Sequence, residues 1–149
     1  MSIRLDSAAD VERFGEGLAE VLRAGDVVLL NGSLGAGKTT LARGLLRALG
    51  LKGEAPSPTF AILQGYERPE VSLPVGHVDL YRLEDPQELD ELGLDDWLAE
   101  GALVIEWPDR LGGRFADVAL DLHLTIAADG ARLLTANAPA AWEGRWPLK

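Results

Sequence analysis

Residues 27 to 46 read VVLLNGSLGAGKTTLARGLL. The apolar run Val27-Val28-Leu29-Leu30 predicts a strand buried on both faces. It enters a glycine-rich turn. Beyond the turn, Leu41, Leu45, Leu46 and Leu49 keep the spacing of one helical face, and Gly50 stands where a helix of this length would be capped. Gly32, four residues, then Gly37-Lys38-Thr39 is the spacing of the phosphate-binding P-loop, here in the strand–turn–helix setting that the motif requires. Its chemistry needs these residue types. Gly32, Gly35 and Gly37 let the backbone approach phosphate oxygens with no Cβ in the way. Their N–H groups, at a helix N-terminus, form an anion-binding nest. Lys38 brings a point charge to terminal phosphates, and the Thr39 hydroxyl can enter the shell of a Mg²⁺ ion. A glycine-rich turn with a purely structural role would need neither the lysine nor the threonine. The stretch predicts an α/β fold.

The rest of the composition narrows the class. At 149 residues the chain is expected to be one domain, 1–149, with little room for a second substrate domain. The net charge is −10, so the chain by itself is a poor ligand for nucleic acid, and any RNA should be met through another subunit. There is no cysteine, which excludes a disulfide framework, a thiol nucleophile and a Cys-based zinc site. The N-terminus MSIRLDSAADVERFG lacks the apolar core of a signal peptide, and no apolar run approaches membrane-spanning length. A cytoplasmic protein is expected.

Taken in order, Ser7 stands three residues before Asp10, a helix start, and Val11, Phe14, Leu18, Val21 and Leu22 continue one face until Gly25. Asp26 to Asn31 is the strand feeding the P-loop, and Lys38 to Leu49 the helix leaving it. Residues 53–59, GEAPSPT, are excluded from helix by Pro56 and Pro58. Strands are expected over 60–66 and 75–80, paired as a hairpin, so part of the sheet should be antiparallel. Helices are expected over 86–92 and 94–100, broken at Gly93, then a strand over 102–107 ended by Pro108. Residues 118–126 and 132–137 suggest a last hairpin. From about 139 the Ala, Trp and Pro content suggests a tail.

Several residues outside the cradle carry candidate chemistry. Thr59, in the proline-stiffened loop, either senses a terminal phosphate or caps a local turn. Asp79 and Glu106 both end strand-like runs, at the sheet edge where α/β proteins bind ligands. Either could be the acid that holds Mg²⁺, leaving the other to position attacking water. Trp107 could shield a phosphate site or anchor a partner, or pack in the core. His77 reads as a strand histidine more readily than as a base. Arg82 reads as a surface ion-pair residue, and Arg132 as a structural residue that could also reach a nucleotide. The acidic residues 84–91 and 95–96 read as a solvated face or a surface for a basic partner.

In combination these motifs are specific. GSLGAGKTT at 32–40, SPTF at 57–60, HVDLYRL at 77–83 and Glu106-Trp107-Pro108 occur in that order. The chain thereby resembles the bacterial tRNA threonylcarbamoyladenosine biosynthesis ATPase family, TsaE, over the span from the first helix to about Trp107. The resemblance implies a small P-loop NTPase-type three-layer α/β/α sandwich, here with a mixed sheet. It implies binding of ATP and Mg²⁺, and ATP hydrolysis that is slow alone. It implies two partner proteins, one bearing a threonylcarbamoyl-transfer site, which together modify the adenosine beside the anticodon of tRNA. Hydrolysis would reset that complex between turnovers. By the same likeness Gly35, Ala36, Gly37, Lys38, Thr39 and Thr40 cradle phosphate, and Thr39 and Glu106 hold Mg²⁺. Thr59 belongs to a switch-like loop, Asp79 and Trp107 flank the reaction, and Asp109 lies near the nucleotide. The adenine side falls near Ser7 and Ala8. Many members carry an acid where this chain has Ser33; that leaves ATP binding intact and puts the role of the position in hydrolysis or partner contact in question.

Two other readings compete. A small-molecule P-loop kinase needs an acceptor pocket and an arginine-bearing lid; the stretch before the last strands is acidic instead. A nucleotide-gated binding module with little catalysis is the third, favoured by the missing acid at Ser33.

Overall fold

A computed structural model describes residues 2–53, 62–85 and 87–148. Strands β2 (Val27–Asn31) and β5 (Ala102–Glu106) form its centre and pair in parallel, Leu30 opposite Glu106. Beyond β5 follow β4 (Val75–Asp79), parallel, and β3 (Leu63–Tyr66), antiparallel to β4. On the other side of β2 lie β6 (Ala119–Ile126), parallel to it, then the antiparallel β7 (Arg132–Asn137) and β1 (Ser2–Leu5). The sheet order is β1-β7-β6-β2-β5-β4-β3. Helices α1 (Ala8–Val21) and α2 (Lys38–Ala48) cover one face; α3 (Gln87–Glu91), α4 (Leu94–Glu100) and a 3-10 turn at Pro108–Leu111 cover the other. The expected three-layer α/β/α sandwich with a mixed sheet is what forms.

The pleat explains the layers. Alternate residues of a strand face opposite sides. Val28 and Leu30 of β2 and Val104 of β5 pack with Phe14 and Leu18 of α1 and Leu41 and Leu45 of α2. Val27, Leu103 and Ile105 join Leu83, Leu89, Leu94 and Leu111 on the far side. This is why the central strands read as unbroken apolar runs. Helix α1 starts where Ser7 Oγ accepts from the Asp10 N–H at 3.2 Å.

Helices α1 and α2 meet through glycine. A Cβ at Gly15 would stand 2.1 Å from the carbonyl oxygen of Leu41, and one at Gly44 2.2 Å from that of Glu12. Neither backbone can yield without parting the helices. Alanine raises intrinsic helix propensity by about 1 kcal/mol over glycine, yet overpacking costs roughly 1–3 kcal/mol or more. Gly15→Ala is therefore expected to lower the urea midpoint; a midpoint that rises would show that the helices can separate cheaply.

The structure departs from the sequence reading at several places. Strand β1 was not expected; it is short and pairs with β7, far away in sequence. The strand expected over 60–66 is observed at Leu63–Tyr66, residues 54–61 lying outside the described ones. The strand expected over 102–107 stops at Glu106, because Trp107 turns left-handed at φ 56°. The segment expected as a tail packs against the body. Trp142 is fully buried and its Nε1 donates to the Val118 carbonyl at 2.9 Å. Arg145 lies over the Trp142 ring at 4.3 Å and reaches Asp26 with Nη1 at 2.6 Å and Nη2 at 3.1 Å. Composition suggested a tail; burial of one indole and pairing of one buried acid make a hook. Among the described residues no helix is long and apolar enough to cross a membrane.

Candidate nucleotide site

The cradle forms where β2 hands over to α2. Gly32 has φ 151°, and a Cβ there would stand 2.7 Å from the Leu124 carbonyl oxygen, so the turn runs too close to β6 for any side chain. Gly37, at φ 111°, is the N-cap of α2 and offers no side chain to cap it. The first-turn N–H groups of a helix have no intrahelical carbonyl to bind, and here they border a cleft of about 280 Å³. The helix dipole adds partial positive charge at that end.

Lys38 opens α2 and is only 5% exposed. Its Nζ donates to the Gly32 carbonyl and lies 3.4 Å from the centroid of the Trp107 ring. Burial holds the ammonium below its usual pKa, against the pull of the negative charges on Glu106, Asp79 and Asp109. The left-handed turn at Trp107 is what brings the indole over this ammonium as the chain leaves β5. Tyr81 continues the aromatic wall, its ring 4.9 Å from that of Trp107.

The two strand-end acids converge. Glu106 shares a face with Ala102 and Val104, the face beneath α2, and Asp79 stands opposite it in the β4–β5 register. Thr39 Oγ1 donates to both oxygens of Glu106, at 3.1 and 3.2 Å. His77 Nε2 lies 2.6 Å from Glu106 Oε2, and both residues are buried. Asp79 Oδ1 accepts from the Tyr81 N–H at 2.9 Å, which fixes that carboxylate at the rim.

Of the residues singled out from sequence, Gly35, Gly37, Lys38, Thr39, Thr40, Asp79, Glu106 and Trp107 line this one cleft. Ala36 is fully buried and its N–H donates to the Ser33 carbonyl at 3.1 Å, so it braces the loop from behind. Asp109 stands in the 3-10 turn outside the lining, its charge felt at Lys38. Thr59 lies outside the described residues. A neighbouring cleft of about 310 Å³ shares Gly35, Gly37 and Thr40, and runs between Ser7 and Ala8 on one side and Arg132 on the other. A larger cavity of about 410 Å³, between Leu29, Pro108, Ala119 and Asp121 on the opposite face of the sheet, contains no candidate residue. No local signal joins His77 to Glu106; their contact follows from adjacent strands sharing one pleat face.

Thr39 and Glu106 suit a hard cation. Both offer oxygen, and a hydroxyl that donates to the carboxylate keeps its lone pairs for a metal. Among the described residues there is no cluster of three or more His, Cys, Asp or Glu that could hold a metal. Mg²⁺ characteristically binds through one or two protein oxygens together with substrate phosphates, so the donor set fits it as a partner of a nucleotide.

A strand-to-helix glycine loop with Lys38 and Thr39, set at the carboxyl end of a parallel sheet core, defines a protein of the P-loop NTPase type. Comparison with known proteins narrows this. The family model described as "Threonylcarbamoyl adenosine biosynthesis protein TsaE" matches residues 5–134, and the chain belongs to the TsaE family. A tRNA threonylcarbamoyladenosine biosynthesis protein TsaE of Streptomyces coelicolor is 40% identical over 142 residues, covering 85% of this chain and 96% of that protein. The protein of the same description from Treponema pallidum is 35% identical, covering 87% and 94%. Among solved structures, Bacillus subtilis YdiB superposes with a TM-score of 0.76 at 27% identity, over 93% of this chain and 84% of that one.

Proposed function

We propose that residues 1–149 form one P-loop ATPase domain, which binds and hydrolyses ATP with Mg²⁺ as a subunit of the assembly that makes threonylcarbamoyladenosine in tRNA. The observation that carries the catalytic half is the Thr39 hydroxyl donating to the buried Glu106, beside the Lys38 ammonium. The biosynthetic half rests on the names of the relatives.

In this reading the first turn of α2 receives the β- and γ-phosphates, and Lys38 turns from the Gly32 carbonyl to the phosphate oxygens. Thr39 and Glu106 hold Mg²⁺, which when bound supplies charge neutralisation on those oxygens. His77 keeps Glu106 oriented. Asp79 orients a water in line with the γ-phosphorus. Its oxygen forms the new P–O bond, the bridge to the β-phosphate breaks, ADP leaves, and the water's proton ends on the released phosphate. Trp107 screens the site, and the loop bearing Thr59 acts as the switch. The cleft beside Ser7 and Ala8 takes the base and ribose. Two partner proteins stimulate the reaction, and hydrolysis resets their complex between turnovers. The chain meets tRNA only through those partners, because a net charge of −10 opposes phosphate contact. Its place of work is the cytoplasm.

The test measures phosphate release from Mg·ATP by the purified chain, alone and with the partner pair. Slow release alone and faster release with partners is expected. A complete assembly that modifies tRNA while this chain releases no phosphate would overturn the reading. Salt-resistant tRNA binding by the isolated chain would contradict the indirect contact.

A further inference from the structure

Arg132 opens β7, at the far side of the sheet from the acids, and borders the cleft beside Ser7 and Ala8 without a part in the reaction. It reaches the cradle from behind. Its Nε donates to the Ala36 carbonyl at 2.9 Å and its Nη2 to the Gly35 carbonyl at 3.0 Å, while Nη1 donates to the Gly130 carbonyl in its own turn. A guanidinium is a rigid planar fork. It can grip two successive carbonyls only if both face it. Across a planar trans peptide the following N–H points the opposite way. With the Ala36 carbonyl fixed on Arg132, the Gly37 N–H must therefore point away from the guanidinium and into the loop. Gly37 lines both clefts. The preceding N–H, of Ala36, is taken by the Ser33 carbonyl, so the Ala36 N–H and the Gly35 and Ala36 carbonyls are all engaged away from the phosphate side.

The support for Arg132 is itself fixed. Asp129 Oδ1 accepts from the Ala131 N–H at 3.1 Å, and the Ala127 N–H donates to the Ala131 carbonyl at 2.8 Å. Asp129 also pairs with Arg4 of β1. The β6–β7 turn is thus tied to the sheet edge on one side and to the P-loop on the other. Glycines at 32, 35 and 37 give the loop freedom, which this grip removes together with the Lys38 contact to the Gly32 carbonyl and the Ala36 contact to the Ser33 carbonyl.

We infer that Arg132 is a positioning residue for the phosphate cradle: its bidentate grip on the Gly35 and Ala36 carbonyls holds the loop with the Gly37 N–H facing the phosphates. This rests on reading the cradle as the nucleotide site. Without the grip, triphosphate must order the loop as it binds, and the ordering entropy comes out of its affinity. Lysine at 132 keeps the charge and loses the fork, so it should not substitute.

The experiment compares wild type, Arg132→Met and Arg132→Lys by titration with ATP, ADP and AMP in EDTA, alongside thermal melting and amide exchange at Gly37. Both variants are expected to bind ATP and ADP roughly 10- to 100-fold more weakly. AMP should change much less, and Gly37 exchange should speed up while the melting temperature stays within a few degrees. Added guanidinium at millimolar concentration should restore part of the ATP affinity of Arg132→Met. Unchanged ATP affinity in both variants would overturn the inference. So would an equal loss for all three nucleotides, which would make Arg132 a wall of the base and ribose cleft, or full rescue by lysine, which would make it a charge alone. A wild-type chain that binds no nucleotide would sink the reading of the site instead.

Discussion

Glu106→Ala is expected to lower Mg²⁺-dependent phosphate release at least about 100-fold, because stabilisation by the metal is a matter of several kcal/mol. Nucleotide affinity in EDTA should change little. The expectation follows from how the carboxylate is held. It is 3% exposed, with Thr39 on both oxygens and His77 on one. A buried acid so placed has little structural value: the strand would pack better with an apolar side chain, and burying a charge costs free energy unless it is paired. Glu106→Gln separates charge from shape, since an amide keeps the contact with Thr39 and loses the anion. Both variants should lose the gain in ATP affinity that Mg²⁺ gives wild type. Phosphate release unchanged in Glu106→Ala would remove Glu106 from the reaction and leave Asp79 as the acid that holds the metal.

The second large effect is on stability. Trp142→Ala should lower the unfolding free energy by about 3–5 kcal/mol, the usual cost of deleting a buried tryptophan. The indole is fully buried, and its loss also unseats Arg145, whose guanidinium covers the ring and neutralises Asp26 at the start of β2. Breaking that pair directly, by Arg145→Met, leaves a carboxylate on a site that is 6% exposed, and removing one partner of a buried ion pair costs about 3–5 kcal/mol. Urea titration of each variant measures this. A loss under about 1 kcal/mol in both would return residues 139–148 to the status of a tail.

The contrast between these two regions shows what a sequence makes legible. The strand, cradle and helix at 27–48 are local: periodicity, glycine spacing and the Lys-Thr pair all lie within one short segment, and the structure follows them closely. Asp79 and Glu106 were legible as strand-end acids, since the end of a strand can be read from where its apolar run stops. Which strands are neighbours cannot be read that way. The β4–β5 register that sets Asp79 opposite Glu106, and His77 against the same carboxylate, is a tertiary fact. Strand β1 escaped notice for the same reason: four residues carry almost no periodicity, and their partner β7 lies at the other end of the chain. The hook is hidden from composition, because Ala, Trp and Pro content says nothing of partners and the Val118 carbonyl that receives the indole N–H is 24 residues away.

The glycine contact between α1 and α2 has a mechanical consequence. Where backbone meets backbone at Gly15 and Gly44 no side chain is left to yield, so the two helices behave as one solid piece. Their leading ends carry Ser7 and Ala8 on one helix and Gly37 and Thr40 on the other, and both ends border the cleft of about 310 Å³. A molecule laid across them is measured against a fixed gauge. Any adjustment to its length or charge falls to the other walls, the turn at 127–131 and the bend at Trp107, which hang from strand ends rather than from that solid piece.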